Sequence, residues 1–172
     1  MCFALFHFFL SLLSYSSYSF ACPSTPHIMA DLFKNTKLFR GDKQVDASEL
    51  KNKIVGLYFS AHWCPPCRSF TPKLKEFYES LKEELFELIF VTSDRSEEGY
   101  LDYYNNHHGL WLRLEFNDPM INELAAKYSV NSIPMLIIIN HEGKIINKNG
   151  RDDVMANASG TLQAWKDAAT RS

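Results

Sequence analysis

The chain has 172 residues, of which 46% are hydrophobic, and its formal net charge is -2. This length supports one domain with a proper hydrophobic core and is too short for two comfortable ones. Lysine and arginine form no cluster or stripe, so we expect no nucleic acid as a direct partner. The chain has no internal repeat, no low-complexity tract and no apolar run of membrane-spanning length, so we expect no stable membrane insertion of the mature domain.

Residues 1–28 differ from the rest because they contain no lysine, arginine, aspartate or glutamate. One interpretation is a signal peptide cleaved after Ala21. The alternative is an upstream extension, with translation starting at Met29. Two observations favour it: the first residues of the chain lack the basic side chain that is typical of a signal peptide, and a start at Met29 leaves two cysteines, both in one motif. We favour the second interpretation and predict an apolar leader at 1–28 and one domain at 29–172.

The stretch that organises the domain is Cys64-Pro65-Pro66-Cys67, which follows a continuously apolar run at 54–59 and precedes a segment of helical period. Two cysteines with this spacing, where a buried strand leads into a helix, are typical of a thioredoxin-like redox motif. The spacing brings the two sulfurs close enough to bridge. The helix dipole and the free N–H groups of the first turn favour a thiolate at Cys64.

The two prolines remove two backbone donors from this turn, so the first amides able to face the Cys64 sulfur belong to Cys67 and Arg68. We therefore expect the charge of Arg68 to supply part of the thiolate stabilisation. A zinc site would need a second pair of ligands at suitable spacing, and none is found, so we predict no metal. For His107 and His108 we expect favourable charge at a helix end or plain solvation.

The domain alternates between strands and helices. A short edge strand or hairpin over 36–45 precedes one helical turn capped by Asp46 and the buried strand at 54–59. Next we predict a helix from Arg68 to Leu85 that is kinked at Pro72, and then a strand at 86–91. Two further helices are predicted, one capped by Asp94 that stops at Gly109 and one capped by Asp118. The last predicted elements are a strand at 135–139, a hairpin to 144–147 and a final helix lined by Leu162, Trp165 and Ala169. The stretch 150–160 gives no prediction.

Ile133 and Pro134 precede the strand at 135–139, and we expect them to contribute to the chemistry. A proline here allows a cis bond, because the trans preference of X–Pro is only about 0.5–1 kcal/mol. A bend beside Cys64 exposes the Ile133 backbone to an extended substrate segment. We expect an apolar substrate-binding rim around this sulfur, and its residues are Trp63, Pro65, Pro66, Ile133 and Pro134.

Five short motifs follow one another in the domain: Tyr58-Phe59-Ser60-Ala61, Trp63-Cys64-Pro65-Pro66-Cys67-Arg68, Phe90-Val91-Thr92-Ser93-Asp94, Ser132-Ile133-Pro134, and Gly150-Arg151 with the later Trp165. With the order of the elements, they resemble the thioredoxin superfamily and, more narrowly, its tryparedoxin and nucleoredoxin branch. The resemblance covers about residues 29–165. It implies an α/β thioredoxin-like fold, with a central mixed sheet of about five strands flanked by helices. It also implies that Cys64 is the nucleophile, that Cys67 is the resolving cysteine and that Pro134 is cis.

One position departs from thioredoxins, which carry a buried aspartate six residues before the first cysteine. Tyr58 stands there, so the usual proton acceptor for Cys67 is missing, as it is in tryparedoxins. His62 is a candidate base because of its proximity, and the alternative is that it is an exposed loop histidine.

These observations predict a thiol–disulfide oxidoreductase that reduces protein or small-molecule disulfides through the Cys64/Cys67 dithiol. No Gly-rich nucleotide fingerprint follows any strand, so we expect no cofactor and an upstream reductase or small thiol as the electron donor. The alternatives are a redox-dependent binding or regulatory protein of nucleoredoxin type and a secreted thioredoxin-like oxidoreductase. We expect the protein in the cytoplasm, with the nucleus as a second compartment, or outside the cell if residues 1–21 are a cleaved signal peptide.

Overall fold

The computed structural model describes residues 28–81, 85–156 and 160–171. The predicted leader, residues 1–28, lies outside these residues except for its last position. Among the helices in the described ranges, none is both long enough and apolar enough to cross a membrane.

Seven strands form one mixed sheet in the described part of the chain, two more than the approximate number predicted. The strands are β1 Leu38–Arg40, β2 Lys43–Val45, β3 Ile54–Ser60, β4 Phe86–Thr92, β5 Leu112–Leu114, β6 Met135–Ile139 and β7 Ile145–Asn147. Their order across the sheet is β2-β1-β5-β4-β3-β6-β7. Four of these strands have only three residues, and one of the four, β5 between β1 and β4, was predicted by no sequence pattern.

β3 lies beside β4, the middle strand of the sheet, and it pairs in parallel with β4 and antiparallel with β6. Every residue of β3 and β4 is buried, and all of them are apolar except Ser60, Glu87 and Thr92. Such strands form when helices cover both faces of a sheet. Since β3 ends at Ser60, the cysteine motif leaves the sheet from a strand whose residues are all buried.

Helices form a layer on each face of the sheet, and each layer encloses its own hydrophobic core. The helices are α1 Ile28–Leu32, α2 Pro65–Ser80, α3 Glu97–His107, α4 Pro119–Lys127, α5 Gly150–Met155 and α6 Thr161–Arg171. One core contains residues of α1, α4 and the 3-10 turn Ala47–Leu50, and the other contains residues of α2, α3, α5 and α6. This three-layer arrangement buries the apolar stripe of each helix against the sheet.

The helix boundaries test the predicted caps. Asp46 and Asp118 accept hydrogen bonds from backbone N–H groups of the turns they precede, as predicted. The prediction for Asp94 is wrong, because Ser96 caps α3 by accepting from the Gly99 N–H. Asp94 is occupied elsewhere, as described below.

The remaining helix predictions differ from the structure mainly in where elements end. The helix predicted to reach Leu85 ends at Ser80 and runs through Pro72 as one element. The helix predicted to stop at Gly109 has His107 as its last residue. No prediction was made for α5, where the sequence is polar, or for α1.

Candidate active site

The cysteine motif occupies the connection from β3 to α2. Cys64 is the residue before the first turn of α2 and has an extended backbone, with φ -94° and ψ 105°. Pro65 and Pro66 begin the helix, where a missing N–H leaves no hydrogen bond unmade. Cys64 and Cys67 are joined by a disulfide, and their Cα atoms lie 5.2 Å apart. The structure therefore represents the oxidised form of a dithiol pair.

The two cysteines differ in accessibility. Cys64 is 4% exposed and lines a cleft, whereas Cys67 is fully buried. Both pack with Ala61 and the half-buried Ile133. A disulfide that enters the cleft can therefore meet Cys64, and Cys67 can be reached only from within the protein.

The cleft beside Cys64 has a volume of about 780 Å³. Trp63, Pro65 and Pro66 line it on the side of the motif, and Ile133 lines it before β6. The start of α4 also contributes lining residues, among which are Asp118, Ile121 and Asn122. Four of the five predicted substrate-binding residues thus share this cleft with Cys64, and Pro134, the fifth, is half-buried next to Ile133 in the chain.

The loop before β6 contacts the motif through its backbone. The Ile133–Pro134 peptide bond is cis, as the resemblance implied. The carbonyl oxygen of Ile133 lies 3.9 Å from the Cys64 sulfur. A polar backbone group therefore stands beside the sulfur that a substrate would approach.

Trp63 is an exposed aromatic residue at the mouth of the cleft, with 46% of its surface accessible. Its indole N–H donates to the Ser93 carbonyl at 3.0 Å, and the guanidinium of Arg95 lies 4.6 Å from the centre of its ring. A cation over an indole is a favourable contact. The ring is thus fixed in position while it stays accessible, which excludes a role as a core aromatic.

Arg68 directs its guanidinium towards the carbonyl oxygen of His62, at 2.8 Å. Its backbone N–H donates to the Cys64 carbonyl oxygen at 3.1 Å. Both groups therefore have acceptors other than sulfur, and any effect of this exposed side chain on a Cys64 thiolate acts through space.

Tyr58 replaces the aspartate of thioredoxins with a buried hydroxyl cluster. Its hydroxyl lies 2.9 Å from that of Ser60 and 2.7 Å from that of Thr71, and both contact the hydroxyl of Tyr103. The Thr71 hydroxyl also donates to the Cys67 carbonyl at 2.9 Å. Burial, reinforced by Tyr103, raises the pKa of Tyr58 far above its ordinary value, so this side chain is neutral at physiological pH. Sequence reasoning missed the cluster, although Ser60 directly follows the apolar run at 54–59.

Asp94 connects the motif to the end of β4. Its carboxylate accepts from the His62 backbone N–H at 2.7 Å and from the Thr92 hydroxyl at 2.9 Å. The residue predicted as a helix cap therefore fixes the loop that leads into Cys64.

The three histidines near the motif have different surroundings. His62 is half-buried, and its Nε2 lies 3.4 Å from the carboxylate of Asp102 on α3. His107 is exposed, as predicted. The prediction for His108 is wrong, because this residue is buried and its Nδ1 accepts from the indole N–H of Trp111 at 3.2 Å. Burial, with smaller effects of His107 and Lys75, lowers the pKa of His108 to about 3, so it is neutral at physiological pH.

Residues 52–145 match the family model described as "Thioredoxin-like". The chain belongs to the thioredoxin-like family. It is 45% identical over 127 residues to probable nucleoredoxin 1 of Arabidopsis thaliana, covering 73% of this chain and 22% of that protein. It is 40% identical over 133 residues to tryparedoxin of Trypanosoma brucei brucei, covering 76% of this chain and 91% of that protein.

Among solved structures, thioredoxin from Wuchereria bancrofti superposes on this thioredoxin-like chain with a TM-score of 0.68 and 48% identity. The match covers 78% of this chain and 96% of that one. The chain thus spans a tryparedoxin or a thioredoxin almost completely, but it spans only 22% of the plant nucleoredoxin.

Proposed function

We propose that this protein is a thiol–disulfide oxidoreductase that reduces protein or small-molecule disulfides. The observation that carries the proposal is the pairing of a cleft-lining Cys64 at a helix N-terminus with a buried Cys67 in one disulfide. The family and the relatives named thioredoxin and tryparedoxin support the same chemistry.

The reaction begins with the Cys64 thiolate, which attacks one sulfur of the substrate disulfide and expels the other sulfur as a thiolate. Cys67, once deprotonated, attacks the Cys64 sulfur and expels the second substrate thiolate. Both substrate thiolates take up protons according to their pKa values. Two electrons pass from the dithiol to the substrate, and the protein is left in the disulfide form described here.

Substrate binding is assigned to the walls of the cleft. Trp63, Pro65 and Pro66 provide an apolar surface beside Cys64. The bend at Pro134 exposes the backbone of Ile133, which can pair with an extended substrate segment. The positive charge of Arg68 stabilises the Cys64 thiolate through space, without a direct contact.

The electron donor is proposed to be an upstream reductase or a small thiol, since the mechanism requires no bound cofactor. The proposed compartment is the cytoplasm, with the nucleus as a second location, where glutathione and thioredoxin systems keep thiols reduced. A tagged full-length chain followed by microscopy, together with mass spectrometry of the native N-terminus, separates this proposal from secretion after cleavage before Cys22.

Insulin reduction with dithiothreitol as the donor tests the proposed activity. We expect the parent chain to turn over and Cys64→Ser to fall to the uncatalysed rate. Cys67→Ser should form a mixed disulfide with the substrate without turnover, because the resolving thiol is missing. Parental turnover by Cys64→Ser contradicts the proposal.

The second candidate is a redox-dependent binding protein, which the similarity to nucleoredoxins favours. In that case the parent chain would bind partners in one redox state and show no turnover with any disulfide tested. Pull-down with the oxidised and the reduced chain, run beside the insulin assay, distinguishes the two candidates.

A further inference from the structure

Next to the motif, the fold brings together three side chains that are distant in the sequence. His62 comes from the loop before Cys64, and Asp102 and His107 come from α3. One ligand atom from each lies within 4.8 Å of the other two. The steps proposed for disulfide reduction assign no role to Asp102 or His107, and His62 enters them only as the candidate base named from the sequence.

The spacing suits a transition-metal ion. Bonds of about 2.0–2.1 Å in a tetrahedral zinc site separate the ligand atoms by about 3.4 Å. Nε2 of His62 and Oδ2 of Asp102 are already 3.4 Å apart. Since Asp102 and His107 are exposed, rotation of their side chains can close the remaining separations.

Neighbouring residues hold the cluster in this arrangement. Asn106 donates from Nδ2 to Oδ1 of Asp102 at 2.8 Å, which leaves Oδ2 turned towards His62. The rings of His62 and His107 both lie 5.8 Å from the ring of Tyr103, centre to centre. The hydrogen bond from Asn106 is of the kind that orients a metal-ligating carboxylate. An ion pair would explain why His62 lies beside Asp102. It would not explain why the imidazole of His107 lies near the same carboxylate.

We propose that His62, Asp102 and His107 bind one divalent transition-metal ion, and Zn²⁺ is the ion with which the proposal is tested. Two imidazoles and a carboxylate suit zinc, copper and nickel, and water completes the coordination. The bound ion links α3 to the loop that leads into Cys64. This proposal is independent of the proposed function, because it concerns binding and needs no turnover.

Metal binding is tested on the full chain with Cys2→Ser and Cys22→Ser and with the Cys64–Cys67 disulfide intact, so that no free thiolate competes for the ion. Competition against a chromogenic chelator measures Zn²⁺ affinity, and Co²⁺ supplies visible absorption bands. We expect one ion per chain at this cluster and a Co²⁺ spectrum without a sulfur-to-metal charge-transfer band.

Three ligand variants, His62→Ala, Asp102→Asn and His107→Ala, should each weaken binding about tenfold or more. His141→Ala, which removes an exposed histidine outside the cluster, is the matched control and should bind like the parent. Equal affinity in the parent and all three ligand variants overturns the proposal.

Amide hydrogen exchange tests the link to the loop. Zn²⁺ should slow exchange at His62, Trp63 and Cys64 in the parent and leave it unchanged in His107→Ala. Circular dichroism checks that each variant is folded. Slowing of the same size in parent and variant shows that the ion binds elsewhere and overturns the assignment.

Discussion

Arg68 shows how one side chain near a reactive sulfur can differ from its predicted role. The sequence predicts a stabilising charge for the thiolate, and the structure directs the guanidinium to the carbonyl oxygen of His62. An exposed charge that acts through solvent is strongly screened. Its influence on Cys64 is therefore expected to be small.

Replacing Arg68 with glutamine should raise the thiol pKa of Cys64 by less than about half a unit, because only a screened charge is lost. The rate of alkylation of the reduced protein as a function of pH measures this value. Lys73→Gln, an exposed charge on the same helix, is the control. A rise above one unit in Arg68→Gln alone would mean that the guanidinium faces the sulfur in the reduced state.

His108 makes stability depend on pH. Its pKa is lowered to about 3 in the folded protein, against 6.5 as the ordinary value, so the unfolded chain takes up this proton first as the pH falls. The contribution of neutral His108 is complete above pH 6.5 and is lost progressively towards pH 3. We expect the free energy of unfolding to fall by up to about 1.4 kcal/mol per pH unit in that window from this group alone.

Urea unfolding between about pH 7 and pH 4 checks this, in buffer containing a chelator. His108→Gln should show a shallower fall in stability towards acid pH, since glutamine can accept from Trp111 and does not titrate there. The exposed His141→Gln should retain the parental slope. Identical slopes in all three proteins would contradict the assignment.

At the scale of elements, α5 depends on a glycine for its approach to the sheet. A Cβ at Gly150 would lie 2.9 Å from the carbonyl oxygen of Leu136 and 3.0 Å from the end of the Ile138 side chain. The backbone oxygen belongs to β6 and cannot move aside. Only a residue without a side chain lets α5 pack this closely.

Gly150→Ala should therefore reduce the free energy of unfolding by about 1–3 kcal/mol, because the added methyl group forces α5 away from β6. Chemical denaturation measures the change. Gly99→Ala is the matched control, because a Cβ at this helical glycine meets no backbone atom within 4 Å: its neighbours are the flexible Ser96 hydroxyl at 3.2 Å and Nδ1 of His62 at 3.9 Å. Alanine also favours a helix over glycine by up to about 1 kcal/mol. Equal losses in both variants would show that crowding at Gly150 is not the cause.

Elements with strong local signals were predictable, and those that depend on distant contacts were not. The buried strands β3 and β4 and the capped helix α4 follow from apolar runs and from Asp118 with Pro119. The three-residue strand β5 forms because β1 and β4 pair with its two edges, and nothing in its own sequence specifies that. Asp94 was assigned to the wrong partner for the same reason, because the His62 N–H that it accepts from is far away in the chain.

The active site also contains features that the sequence predicts and features that it does not. The dithiol was predicted from its motif and the cis bond at Pro134 from the family resemblance. Of the predicted site residues, Trp63, Cys64, Pro65, Pro66 and Ile133 line one cleft. The hydroxyl cluster around Tyr58 was not predicted, because it joins residues of β3, α2 and α3 through side chains alone. The approach of His62 to Asp102 has the same origin.

At the scale of the whole molecule, the fold extends beyond the segment that matches the family model. Residues 52–145 match, yet Met29 and Phe33 are buried in the same core as residues of α4. The Met29 backbone N–H also donates to the His141 carbonyl oxygen at 3.2 Å. The segment around α1 is thus an integral part of the domain.

Met29→Ala should lower the free energy of unfolding by about 2–5 kcal/mol, because it leaves a cavity in that core. Thermal or urea unfolding of the full chain measures the loss. Met155→Ala removes the same side chain from a position that is 52% exposed, and it should change stability by no more than about 0.5 kcal/mol. Similar small effects of both substitutions would mean that α1 does not pack on the core in solution.

The complete burial of Cys67 also affects how the reduced dithiol would react with peroxide. An oxidant arriving from solvent meets the Cys64 sulfur first and converts it to a sulfenic acid. The shielded partner can then displace the hydroxyl group as water and close the disulfide, before harsher oxidation becomes irreversible. We expect the oxidation to end at a disulfide, which thiol–disulfide exchange can reverse.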